Sequence, residues 1–189
     1  MKKGLIVIVA IVVVIAIFGG MFVSRYNKLV SLDEEVNLAL SQIDNQLQRR
    51  NDLIPNLVET VKGYASQEKE IFESVSEARS KLIGATGVQE KDEASAELSG
   101  SLSRLLAISE SYPDLKSNQN FIQLSDELAG TENRIAVARQ DYNTVANQYN
   151  RTVKQFPMMI FAGMFGFDQV DYFEAQEGAN QVPSVDFNN

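Results

Sequence analysis

The chain has 189 residues, a formal net charge of −8, and no cysteine, histidine or tryptophan. Without cysteine or histidine it cannot build disulfides, thiol nucleophiles, Ser-His triads or the usual zinc sites. So acidic a chain also speaks against nucleic acid and against anionic lipid as a main partner.

Residues 1–3 form a short basic flank, with Lys2 and Lys3 set directly against an apolar run. That run, residues 4–23, holds twenty residues without a charge or an amide, and Ile and Val dominate it. As a helix it is ~30 Å long, the thickness of a bilayer's hydrocarbon core. A signal peptide has a shorter apolar region and ends at small residues, whereas Phe18-Gly19-Gly20-Met21-Phe22 is a poor cleavage site. A core helix would show polar residues on one side, and none is present. We read the stretch as a retained membrane anchor contacting the lipid bilayer through residues 4–23. Lys2 and Lys3 on one side nearly balance Arg25 and Lys28 on the other. The direct adjacency of Lys2 and Lys3 to the span favours the amino terminus inside and the bulk of the chain on the extracytoplasmic side of a bacterial inner membrane.

Beyond residue 23 lie all 25 acidic residues but only 15 of the 17 basic ones, so this part carries a formal charge of −10. It is long enough for one domain with a real core. From Leu29 the apolar residues keep a 3-4 spacing for more than fifty residues. One series runs Leu29, Val36, Ile43, Arg50, Leu57, Tyr64, Ile71 and Ala78; the other runs Leu40, Leu47, Ile54, Val61, Glu68, Val75 and Leu82. Only Arg50 and Glu68 interrupt them, which predicts a packed helix over about 24–83, ~90 Å long, kinked near Asn51 by Pro55. Gly84 and Gly87 end it. A second helix is expected over 90–111, with Ala94, Leu98, Leu102, Leu105 and Leu106 on its apolar side, stopped by Pro113. A third is expected over 118–156, capped by Asn118, with Phe121, Leu124, Leu128, Thr131, Ile135, Ala138, Tyr142, Val145, Tyr149, Thr152 and Phe156 on one stripe.

The predicted fold is therefore all-α. A single transmembrane helix continues into an elongated antiparallel three-helix, coiled-coil-like bundle at 24–156. A short apolar segment at 157–167 and an irregular tail at 168–189 follow. The order up, down, up would put Phe156 ~100 Å or more from the anchoring bilayer. The apolar segment would then cap the bundle, join the tips of neighbouring copies or touch a second membrane.

Two constellations stand out. Around the expected kink stand Arg49, Arg50, Asp52, Pro55 and Asn56, for which Glu132, Asn133, Arg134 and Arg139 are natural partners from the third helix. Arg50 sits on the seam itself, where it can pair with an acid and fix register; the same block can also serve as a recognition surface. The second constellation is Met158, Met159, Ile160, Phe161, Met164, Phe165 and Phe167, adaptable apolar residues suited to self-association or membrane contact. The expected arrangement favours joined tips. No phosphate-binding glycine loop and no di-metal Glu-His pattern is present, so we expect no cofactor and no catalysis.

The motifs Tyr26-Asn27, Gln46-Leu47-Gln48-Arg49-Arg50, Asp52-Leu53-Ile54-Pro55-Asn56-Leu57-Val58 and Val61-Lys62-Gly63-Tyr64 carry a resemblance. So do Tyr112-Pro113-Asp114-Leu115-Lys116, Thr131-Glu132-Asn133-Arg134-Ile135-Ala136, Ala138-Arg139, Tyr142-Asn143, Tyr149-Asn150, Gly166-Phe167 and Tyr172-Phe173. Over roughly residues 24–175 the chain resembles the LemA family of bacterial membrane proteins. The resemblance implies a single-pass membrane protein with a mostly helical domain and no established biochemical activity, and a link to the organisation or remodelling of bacterial membranes, magnetosome formation included. Some family members carry a lipid-modified cysteine in place of the anchor, and this chain has none. The expected function is a non-enzymatic scaffold that forms a homo-oligomer. The alternative is an adaptor presenting the kinked first helix to a soluble partner or a membrane protease.

Overall fold

A computed structural model gives the fold and describes residues 2–174; the expected tail from residue 175 onward, and Met1, lie outside the described residues. Every regular element described is helical. In chain order these are α1 (Lys2–Lys62), α2 (Lys69–Gly84), α3 (Val88–Ala107), a 3-10 turn (Ile108–Ser111), α4 (Pro113–Lys116), α5 (Gln119–Lys154) and α6 (Met158–Phe165).

The expected first helix is two helices. α1 ends at Lys62, where the amides of Tyr64 and Ala65 both donate to the Val61 carbonyl, and α2 starts after Glu68. The two run antiparallel, since Lys62 lies over the Phe72 ring while Arg79 Nε donates to the Asn51 carbonyl at 3.1 Å. The heptad count could not see this reversal, because α2 delivers Phe72, Val75, Ala78 and Leu82 into the core at the same spacing as before. Gly63 and the polar break at Glu68 were its traces. Pro55 leaves α1 helical to Lys62. It lacks the N–H that would have donated to the Asn51 carbonyl, and Arg79 takes that acceptor instead.

The second expected helix starts two residues earlier, at Val88, and its last turn is 3-10. Gly87 adopts φ +83 at this start, the left-handed region that suits glycine. Asn118 caps the third as expected: the Phe121 amide donates to its Oδ1 at 3.0 Å.

The chain divides into two compact units. Unit 2 (Gln42–Arg139 with Asp171–Asn189) is built from the last third of α1, α2, α3 and the first part of α5. Ser74–Ser101 and Lys81–Glu97 contacts make α3 antiparallel to α2. Arg49–Glu127 and Tyr64–Asn118 make α5 antiparallel to α1. The directions are therefore out, back, out, back, not up, down, up. Ile54, Leu57, Val61, Val75, Leu98, Leu105, Leu115 and Ile135 form its core.

Unit 1 (Met1–Ser41 with Gln140–Val170) holds the first part of α1, the last part of α5, and α6. Leu29, Leu32, Val36 and Ala39 of α1 are buried, as are Tyr142, Ala146, Tyr149 and Val153 of α5. α6 ends at Gly166 (φ +74), with the Phe167 amide donating to the Ala162 carbonyl at 3.0 Å. α6 lies against the end of the apolar span, which overturns the expectation of a remote tip. The extra reversal at 63–68 is the cause: an even number of passes returns the chain to the anchor.

Candidate functional site

Unit 2 contains a buried ionic centre. Arg50 is only 4% exposed. Its Nη2 donates to Ser99 Oγ at 2.8 Å, and its Nη1 reaches Ser95 Oγ at 3.4 Å. Nη1 also lies 3.0 Å from Glu132 Oε2, an ion-pair separation that is not aligned as a hydrogen bond, and Nε has no partner. Burial pulls the Arg50 guanidinium below its usual value; Glu132 opposes this and Arg139 adds to it. Arg139 is held in turn by Asp92 at 2.9 Å and stacks over the Phe173 ring at 5.2 Å. The Glu174 amide donates to the other Asp92 oxygen at 3.1 Å. Lys91 and Asp44 pair beside the centre at 2.6 Å.

The structure thus gathers three of the nine residues singled out at the kink, Arg50, Glu132 and Arg139, into one centre. Arg49 is exposed and pairs with Glu127 at 2.9 Å. Asp52, Pro55, Asn56, Asn133 and Arg134 are exposed and lie outside the centre. Sequence reasoning missed Asp92, Ser95 and Ser99. Their spacing of three and four is the available signal, since it lines them along α3 beside the apolar stripe of Ala94 and Leu98.

Unit 1 presents the other candidate. The rings of Phe161 and Phe165 meet Phe22 edge-on at 5.5 and 5.4 Å. Phe165 and Phe167 meet Tyr26 at 4.9 and 6.1 Å. Met158 and Ala162 are buried, whereas Met159, Ile160 and Met164 are more than half exposed. A second contact fixes the chain beyond α6. Asn150 Nδ2 donates to the Val170 carbonyl at 2.8 Å, and the Val170 amide donates back to Asn150 Oδ1 at 2.9 Å. Asn150 is buried beside Tyr149, whose phenol is raised by burial and by the carboxylates of Asp33 and Asp168.

Among the described residues, α1 is the one helix long and apolar enough to cross a membrane. No group of three or more carboxylates there is arranged to hold a metal ion. The buried polar groups bind helix to helix and strap to helix. These features define an all-helical, membrane-associated protein. The chain belongs to the LemA family, whose sequence profile matches residues 39–187. Magnetosome protein MamQ 2 of Paramagnetospirillum magneticum is 27% identical over 206 residues, covering 95% of this chain and 75% of that protein. Magnetosome protein MamQ of Magnetospirillum gryphiswaldense is 28% identical over 187 residues, covering 85% and 68%. Protein LemA of Metamycoplasma hominis is 27% identical over 170 residues, covering 88% and 76%.

Proposed function

We propose that the protein is a non-enzymatic, self-associating scaffold of a bacterial membrane, with its helical bulk on the extracytoplasmic side of the inner membrane. The observation that carries this reading is that one unbroken helix, Lys2–Lys62, holds both the apolar span and the bundle seam. Whatever organises the aqueous part is thereby coupled directly to the bilayer. Self-association is supported by Ala16 and Gly20, small exposed residues four apart on the span, with Ser24 continuing the spacing just beyond it and open space around Gly20. Such residues let two helix backbones approach closely in lipid. Two curated relatives are named as magnetosome proteins, which suits a role in organising membrane.

Light scattering of the full chain in mild detergent tests the assembly. An oligomer that Gly20→Ile shifts to lower mass is the expected result, and a clean monomer at micromolar concentration overturns it. A protease-cleavable tag at Asn189 tests the side. With the outer envelope opened, digestion in intact cells is expected, and digestion only after lysis overturns the assignment.

The adaptor reading keeps one specific support: Arg49, Asp52 and Asn56 are exposed around Pro55. Arg50, being buried, is not part of such a surface.

A further inference from the structure

α6 is a helix of eight residues without a charge; Met158 and Ala162 are buried and Phe161 and Phe165 pack on α1, yet the rest of its apolar surface is open. Met159 is 55% exposed, Ile160 53% and Met164 62%, and Phe156 just before the helix is 79% exposed. Left in water, so contiguous an apolar patch is costly. Its position names what covers it. Phe161 and Phe165 touch Phe22, the last residue but one of the twenty-residue apolar run. Residues beyond that run turn polar at once, with Ser24 and Arg25, and Tyr26, which meets Phe165 and Phe167, follows them. Tyrosine at such a boundary is typical of the layer where hydrocarbon meets headgroups. The exposed face of α6 is therefore continuous with the surface of the span at the level where the span leaves the bilayer. Basic side chains mark the same end: Arg25 and Lys28 follow the span, and Arg151 and Lys154 close α5 just before α6. All four are exposed.

We propose that α6 inserts Met159, Ile160 and Met164 into the outer acyl layer of the bilayer that α1 spans, as a second lipid contact beside the anchor. The inference rests on the reading of α1 as a membrane span. Phe156 enters the same layer from the end of α5. Lipid suits this face better than a second copy, because the face continues a surface that already requires lipid. Insertion at one interface adds area to one leaflet only, and this biases a membrane towards curvature. The Asn150–Val170 clasp holds the segment that follows α6, so the inserted helix is tied back to α5 and not left as a free arm.

The chain contains no tryptophan, so a single introduced indole reports on its own site. The experiment places the full-length protein in phosphatidylcholine–phosphatidylglycerol vesicles as four variants: Ile160→Trp, Met164→Trp, Val14→Trp within the span and Leu38→Trp on the exposed face of α1. Emission and quenching by brominated lipids are compared with quenching by aqueous iodide. For Ile160→Trp and Met164→Trp the expected result is blue-shifted emission that bromolipid quenches and iodide does not; Leu38→Trp should behave in the opposite way. If both α6 probes are quenched by iodide alone, the proposal is overturned. If they are blue-shifted but untouched by bromolipid, with emission that depends on the protein-to-lipid ratio, a second copy covers α6 and the lipid assignment falls. Val14→Trp separates the two readings, since bromolipid failing there removes the span itself, whereas success there with failure at 160 and 164 removes only the α6 contact.

Discussion

The two units hold their helices together by different chemistry. Unit 1 closes over aliphatic residues and two tyrosines, with one neutral amide, Asn150, meeting both polar groups of the Val170 backbone. Unit 2 buries a guanidinium at the same depth and answers it with two serine hydroxyls and a carboxylate that is itself 45% exposed. A neutral clasp is satisfied by geometry alone. A buried charge is satisfied only while its counter-charge stays, because desolvation of an ion costs several kcal/mol that partners must offset. Unit 2 should therefore be the more fragile under single substitutions and the more exacting about register. Arg50 meets Ser95, Ser99 and Glu132 together only when α1, α3 and α5 hold one alignment.

The largest expected effect follows from that contrast. Glu132→Gln keeps the shape but leaves Arg50 beside Arg139 without its carboxylate. We expect a loss of ~1–3 kcal/mol, less than for a fully buried pair because the Glu132 side chain is 45% exposed, although the Oε2 that faces Arg50 is buried. Arg50→Met removes the buried charge instead and leaves Glu132, whose side chain is 45% exposed, able to turn to water, so its loss should be the smaller of the two. Thermal melting of both variants in mild detergent, followed by circular dichroism, checks the order. If Arg50→Met proves the worse, the centre is held by hydrogen bonds to the serines and not by charge balance.

Next comes the neutral clasp. Asn150→Ala leaves the Val170 N–H and C=O without their partner, at an expected cost of ~1–2 kcal/mol. Unlike the loss at Glu132, it should not change with added salt, since no charge is involved. Hydrogen exchange should accelerate over residues 166–170. A salt-dependent loss, or unchanged exchange there, would break the contrast between the units.

Much of this was legible in the sequence. Period and capping found the all-α fold, the span, Asn118 as a cap and the seam position of Arg50, because each rests on local spacing. The reversal at 63–68 was not legible in the period, since a helix folding back can feed its apolar face into the same core. That single miss carried a large error with it: one more pass changes the parity of the bundle and returns α6 to the anchor end. Asp92 escaped for a related reason. Its role depends on Arg139 and Glu174, which only the tertiary fold brings to it. Asn150 escaped because an amide on a polar helix gives no hint that a strap twenty residues later needs it.

A smaller effect belongs to the surface of unit 2. Arg49 and Glu127 form an exposed pair, and such pairs contribute ~1 kcal/mol or less. Arg49→Gln should thus leave melting almost unchanged. The same variant separates the two functional readings. A lost partner in a pull-down with unchanged melting favours an adaptor working through the exposed face near Pro55. A retained partner set with unchanged melting leaves Arg49 without a recognition role and favours the scaffold.

The smallest effect is a pH dependence at the start of α3. The Thr86 amide donates to Glu90 Oε2 at 2.8 Å, and the Thr86 hydroxyl donates to the same oxygen at 3.1 Å. These two hydrogen bonds, the backbone one foremost, hold the Glu90 carboxyl below the usual carboxylate range. A carboxyl with a lower value folded than unfolded binds its proton more readily in the unfolded chain. Its contribution to stability is therefore complete above the ordinary carboxylate value and disappears as pH falls through the lowered folded value. Glu90 is exposed, so the effect is slight. Melting temperatures of the parent and Glu90→Gln, compared between neutral and acidic pH, should differ at neutrality and converge as the carboxyl protonates. A gap that widens on acidification would mean that the charge opposes this turn and that Gly87, with its left-handed backbone, sets the helix start unaided.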